Sequence, residues 1–261
     1  MSRKKVVKKR IKRGLICASA ASVVSLAAVM ELGRRYEWGP FFYLNFKKRE
    51  REIVKKYSVR KRRGEIIFYG ASNFCRWEEM EQDMLPYTVQ NHGFGGSTDA
   101  ELLRSAGRLL YPYAPAVVVL QTASNDCARM IGPKRTLYER ILNRKIRMLE
   151  AFRRELPDTV FIVISGVLMP GRRKYDGIIK RINRSMQGIA SHTDNLYYVD
   201  AEGMTVDENG KHRKYLFEND GVHFTHEARV RWAEEYIKPA LDKVISDHPE
   251  LEYLKNDKTV R

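Results

Sequence analysis

From Gly64 onward the chain alternates short apolar runs with stretches of helical spacing, and few folds accommodate that order. Runs with strand character occupy 65–69, 88–91, 116–121, 159–165 and 196–199. Helical spacing fills 99–110, 136–156 and 175–192, and a last helix is expected over 225–245. Such alternation predicts a parallel sheet with helices on both faces. In sheets of this kind, sites form beyond the carboxyl ends of the strands. The residues that follow each apolar run are therefore the ones to read for chemistry.

Four such segments stand out. After the first run comes Phe68-Tyr69-Gly70-Ala71-Ser72-Asn73, which places a serine in a strand-to-helix turn. A hydroxyl there can be exposed beside helix-terminal N–H groups, although the same serine could serve as a simple helix cap. The second run is followed by His92-Gly93-Phe94-Gly95-Gly96-Ser97-Thr98-Asp99. Its glycines let the backbone approach a ligand or turn N–H groups inward, and it lacks the Lys-Ser/Thr ending of a P-loop. The third leads into Gln121-Thr122-Ala123-Ser124-Asn125-Asp126, where an amide could donate into the same cleft or merely close an Asx turn. Near the C-terminus, Asn219-Asp220-Gly221-Val222-His223-Phe224 precedes the last helix. An acid three residues before a histidine can hold one ring nitrogen while the other faces the cleft. A serine nucleophile needs that pair of base and orienter.

Charge separates the chain into parts. The formal net charge is +16, yet 28 basic and 28 acidic residues balance from Gly64 onward. Residues 1–13 hold eight Lys or Arg and no acid, and 34–63 hold twelve against three acids. Between these basic flanks lies an uncharged stretch, 14–30, just long enough to cross a bilayer. Basic flanks of an apolar stretch point to anionic lipid head groups, so nucleic-acid binding is not expected. The basic start favours a cytoplasmic N-terminus with the rest of the chain sent across. Two readings stand: an uncleaved single-pass anchor, or a signal peptide with Ser25-Leu26-Ala27 as its cleavage site and secretion of the remainder. The expected organisation is 1–33 as basic N-terminus and anchor or signal peptide, 34–63 as a basic, aromatic connector, and 64–261 as the main domain. Trp38, Phe41, Phe42, Tyr43 and Phe46 suit a membrane interface or packing onto that domain. The stretch 47–57 reads as a charged, partly helical segment lying over the surface. Cys17, Cys75 and Cys127 show no metal-ligand spacing and no disulfide framework, and Cys75 and Cys127 read as two thiols.

Taken in order, the four segments resemble the sequence blocks of the SGNH/GDSL hydrolase family over roughly 65–245. Gly70-Ala71-Ser72 stands at the family's Gly-Asp-Ser block, Gly96 at its second-block glycine, Asn125 at its third-block asparagine, and Asp220 with His223 at its Asp-x-x-His. Three departures accompany the match: Ala71 for Asp, Ala123 for Gly, and Phe224 where Pro often follows the histidine. The resemblance implies a three-layer α/β/α, flavodoxin-like fold with a central parallel sheet, here preceded by an N-terminal membrane helix. It implies Ser72 as nucleophile, His223 as base, Asp220 as its orienter, and an oxyanion hole of Ser72, Gly96 and Asn125. No cofactor and no metal are expected. The expected activity is hydrolysis of carboxylic esters, with acetyl groups on glycans or lipid esters as candidate substrates. An O-acyltransferase using the same triad and a non-catalytic, membrane-tethered binding protein are the competing expectations.

Overall fold

The computed structural model describes residues 40–57 and 64–255. The expected membrane segment 14–30 and its N-terminal flank lie outside the described residues, as do Cys17, Trp38, 58–63 of the connector, and the side chains of Phe41, Phe42 and Tyr43. Among the described residues, no helix is long and apolar enough to cross a membrane. The described residues from Glu50 onward belong to one compact unit.

Helix α1 spans Pro40–Lys56, and its residues from Glu50 belong to that unit. Glu50, Ile53 and Tyr57 fall three and four residues apart, on one helical face, and all three are buried. Glu50 Oε1 accepts from the Ser105 hydroxyl at 2.6 Å. Tyr57 donates to Glu81 at 2.7 Å, and its hydroxyl oxygen accepts from the Asn91 N–H at 3.1 Å. Tyr113 donates in turn to the Tyr57 carbonyl at 2.8 Å. The segment thus lies over the domain as a helix, as expected, with Arg51, Glu52, Lys55 and Lys56 exposed, while its other face is buried against polar partners.

Five strands form one parallel sheet: β1 (Ile66–Gly70), β2 (Val89–Asn91), β3 (Val117–Gln121), β4 (Val160–Ile164) and β5 (Leu196–Val199), in the order β2-β1-β3-β4-β5. Residues 66–69 and 117–120 are buried throughout, as continuous apolar runs should be when helices cover both faces. The chain steps from β1 outward to β2 and then returns past β1 to β3. That reversal opens a crevice beyond the carboxyl ends of β1 and β3. Register aligns those ends, with Gly70 opposite Gln121, so the loops carrying Ser72 and Asn125 leave the sheet side by side.

The principal covering helices are α4 (Asp99–Leu109), α6 (Leu137–Glu155) and α7 (Asp176–Ala190), with α2 (Ser72–Cys75), α3 (Met80–Asp83), α5 (Ser124–Arg129) and α8 (Glu202–Thr205) as shorter turns. The single helix expected over 225–245 is interrupted. It runs as α9 (His226–Trp232), a π turn over Ala233–Ile237, and α10 (Lys238–Asp247). Pro239 explains the interruption: it has no N–H to donate, and its ring crowds the preceding turn, so a wider turn absorbs it.

Trp232, fully buried, is the side chain on which two distant parts of the sequence meet. Its ring stacks on Phe74 (5.4 Å between centroids) and Trp77 (6.3 Å) and meets Phe224 edge-on at 5.3 Å. Phe74 belongs to the turn that carries Ser72, and Phe224 follows His223. Trp232→Ala is expected to cost about 3–5 kcal/mol of folding stability, measured as a shift in the denaturant midpoint at unchanged slope.

Candidate active site

Ser72 opens α2 directly beyond β1, and Ala71 before it is extended (φ −92°, ψ −150°). Gly70 is required by closeness: a Cβ there would lie 2.5 Å from the Gln121 carbonyl oxygen. Gly93, after β2, is required in the same way, since its Cβ would meet the Cys75 nitrogen at 2.6 Å. Asn91 then satisfies the far end of the Ser72 turn, donating from Nδ2 to the carbonyls of Phe74 (2.7 Å) and Trp77 (3.1 Å). His92, beside the glycine-rich loop, faces the core. Its ring nitrogens meet the Leu109 carbonyl (2.5 Å) and Gln90 Oε1 (3.0 Å).

His223 reaches Ser72 across 151 residues, with Nε2 2.9 Å from the serine Oγ. Its Nδ1 lies 2.6 Å from Asp220 Oδ2. The other Asp220 oxygen accepts from the backbone N–H groups of Val222 (2.8 Å) and His223 (3.0 Å). Burial opposes ionisation of Asp220, but these hydrogen bonds outweigh it and bring its carboxyl down to about 2. The carboxylate therefore stays charged throughout the range in which an imidazole titrates. Asn73 adds a tie, its Oδ1 accepting from the Phe224 N–H at 3.3 Å.

Ser72, Ser97, Thr122, Asn125 and Met169 are among the residues lining a small cavity of ≈ 10 Å³ between these loops. Gly96 takes φ +70°, and its carbonyl accepts from Arg129 at 2.6 Å. Arg129 also pairs with Glu101 at 3.0 Å. Asn125 sits in the first turn of α5, with Nδ2 donating to the Ser97 carbonyl at 3.0 Å and Oδ1 accepting from Arg172 at 2.6 Å. The structure thus gathers Ser72, Gly96, Asn125, Asp220 and His223 at one end of the sheet.

Behind the cavity lies a buried charge cluster. Lys145 of α6 pairs with Asp99 at 3.1 Å and donates a short bond to Thr122 Oγ1, while Asp126 Oδ2 accepts from the Asp99 N–H at 3.1 Å. Arg144 reaches Asp126 Oδ1 at 3.4 Å. Burial, then the neighbouring Asp99 charge, pushes Asp126 up to about 7. This cluster ties the glycine-rich loop to the loop after β3. Lys145 carries a signal in the sequence, because it interrupts an apolar stripe through Ile141, Met148, Leu149 and Phe152. Arg129, Arg172 and Asn73 carry none, since their roles arise from which loops the sheet brings together.

Cys75 and Cys127 are not joined to each other, and burial pushes the Cys127 thiol up to about 12. Among the described residues, Glu79, Asp83 and His226 offer ligand atoms within 4.8 Å of one another, a group suited to a cation by its side-chain types. Asp83 already accepts from the Trp77 indole at 2.6 Å.

The two alanine departures behave differently. Ala71 occupies an ordinary extended conformation, whereas Ala123 is held at φ +122°, where a Cβ is strained and glycine is not. Ala123→Gly should therefore raise stability by about 1 kcal/mol in denaturant unfolding, strain relief exceeding the added chain entropy. Gly171 lies against the Asp220–His223 loop and donates its N–H to the Gly221 carbonyl at 2.8 Å. A Cβ there would stand 2.6 Å from the Asp220 carbonyl oxygen. Gly171→Ala is expected to displace that loop and lower kcat for an ester ~100-fold, with near-native far-ultraviolet circular dichroism.

The model of the GDSL-like Lipase/Acylhydrolase family matches residues 59–229. Among solved structures, the chain is similar to one from Streptococcus pneumonia described provisionally as a platelet activating factor. The two share 20% identity over 82% of this chain and 99% of that one, with a TM-score of 0.66. It is also similar to a GDSL-like lipase from Bacteroides thetaiotaomicron, at 21% identity over 77% of this chain and 98% of that one, with a TM-score of 0.58. At these identities the structures speak for the fold. No curated protein sequence matches the chain. The family match spans well over half of the chain and includes all four candidate segments, so the chain belongs to the GDSL-like lipase/acylhydrolase family and is a carboxylic-ester hydrolase.

Proposed function

We propose that the chain is a membrane-attached serine esterase that removes small acyl groups from an envelope or extracellular glycan, with Ser72, His223 and Asp220 as its triad. The observation that carries this reading is the position of His223, 2.9 Å from Ser72 Oγ on one side and 2.6 Å from Asp220 on the other. His223 Nε2 takes the Ser72 proton as Oγ adds to the ester carbonyl, and Asp220 stabilises the imidazolium. The oxyanion is held by the backbone N–H groups of Ser72 and Gly96 and by Asn125 Nδ2. Collapse expels the alcohol, which receives the proton from His223. Water, deprotonated by His223, then adds to the acyl-serine, and the acid leaves as Ser72 recovers its hydrogen.

The uncharged segment 14–30 with its basic flanks supports attachment to a membrane, with the catalytic domain on the extracytoplasmic side.

Labelling of the full-length chain by a fluorophosphonate tests the triad. Wild type should label, and Ser72→Ala and His223→Ala should not. Asn125→Ala should still fold and lose ~100–1,000-fold in kcat. A folded wild type that stays unlabelled would instead favour a binding protein of the same fold.

A further inference from the structure

We propose that Arg172 is a positioning residue for this reaction, orienting and polarising the Asn125 amide so that its N–H is presented to the oxyanion; the proposal rests on the esterase reading. Arg172 lies in the 3₁₀ turn Pro170–Tyr175 that follows β4. Its Nη1 donates to Asn125 Oδ1 at 2.6 Å and to Ser124 Oγ at 2.9 Å. A guanidinium can only donate, so the partner it meets on Asn125 is the oxygen. With the oxygen assigned to Arg172, the NH₂ group faces the other way, where the Ser97 carbonyl takes one hydrogen at 3.0 Å. The second hydrogen is left for the cavity that Asn125 and Ser72 both line. Reversal of the amide would set Oδ1 against the Ser97 carbonyl and NH₂ against the guanidinium, two repulsive contacts. A cation on the amide oxygen also draws electron density from the nitrogen, which makes the remaining N–H a stronger donor.

The same turn reaches the base. Gly171, adjacent in sequence, bonds to the Gly221 carbonyl in the Asp220–His223 loop. Two consecutive residues after β4 therefore set both the loop of the base and the amide of the oxyanion site, each through a different contact. The loop after β4 holds none of the four sequence blocks, so its part in the site rests on these contacts alone.

The test is a double-mutant cycle on the full-length enzyme with p-nitrophenyl acetate. Arg172→Met should lower kcat ~10–100-fold and leave KM within about threefold, because the loss falls on the transition state. Arg172→Lys, which keeps a cationic donor, should recover most of that rate. Arg172→Met combined with Asn125→Ala should be no slower than Asn125→Ala alone, since Arg172 acts through Asn125. If Arg172→Met does not fold, Arg172→Gln carries the same cycle. The proposal is overturned if the two losses multiply, if KM alone rises, or if Arg172→Met matches wild type. Hydrolysis that survives Ser72→Ala would defeat the reading of Ser72 as nucleophile first, and the role of Arg172 with it.

Discussion

The site depends on a buried aromatic stack. Trp232 lies between Phe74, two residues after the serine, and Phe224, one residue after the histidine. Because close-packed rings tolerate little displacement, fixing them fixes the two short turns that carry Ser72 and His223. The 2.9 Å approach of the histidine to the serine is thus supported from below by burial rather than by the hydrogen bond itself. Phe224, a departure from the family pattern in sequence, is fully buried and serves as the anchor of the histidine loop.

Around that stack, the loops leave no space to slip. Gly70, Gly93 and Gly171 each stand where a Cβ would press on backbone belonging to another part of the site. These contacts draw the Ser72 turn toward β3, the glycine-rich loop toward α2, and the loop after β4 toward Asp220. Charge completes the arrangement from the opposite side. Lys145 holds Asp99 and Thr122, Arg129 holds the Gly96 carbonyl, and Arg172 holds Asn125. Partners of this kind restrict where an oxyanion donor can point, and preorganised donors are worth most in a site that excludes water.

Much of this arrangement is legible in the amino-acid sequence. All five strands fall within a residue or two of the apolar runs, and in β1, β3 and β4, buried throughout, no polar side blurs the ends. The four segments are readable for a related reason: a parallel sheet of this order delivers its chemistry to the carboxyl ends of its strands. Asp220 and His223 form a local pair three residues apart, so their partnership needs no tertiary knowledge. Arg172 and Gly171 are not legible, since adjacency to Asn125 and Asp220 exists only once β4 lies beside β3. The burial of Glu50 and Tyr57 on the inner face of the first helix is not legible either, since Ser105 and Asn91 supply partners that the sequence does not display. The π turn before Pro239 belongs to the same class, as a local accommodation inside a helix whose period looks unbroken.

In the proposed reaction the acyl group passes through Ser72. The most direct test of that route is acid quenching of the full-length enzyme during turnover of an acetate ester, followed by mass analysis of its peptides. An acetyl group should appear on the peptide containing Ser72, accumulating in wild type and absent from His223→Ala. Acetyl carried on a different residue, or steady hydrolysis with Ser72 never modified, would contradict that route.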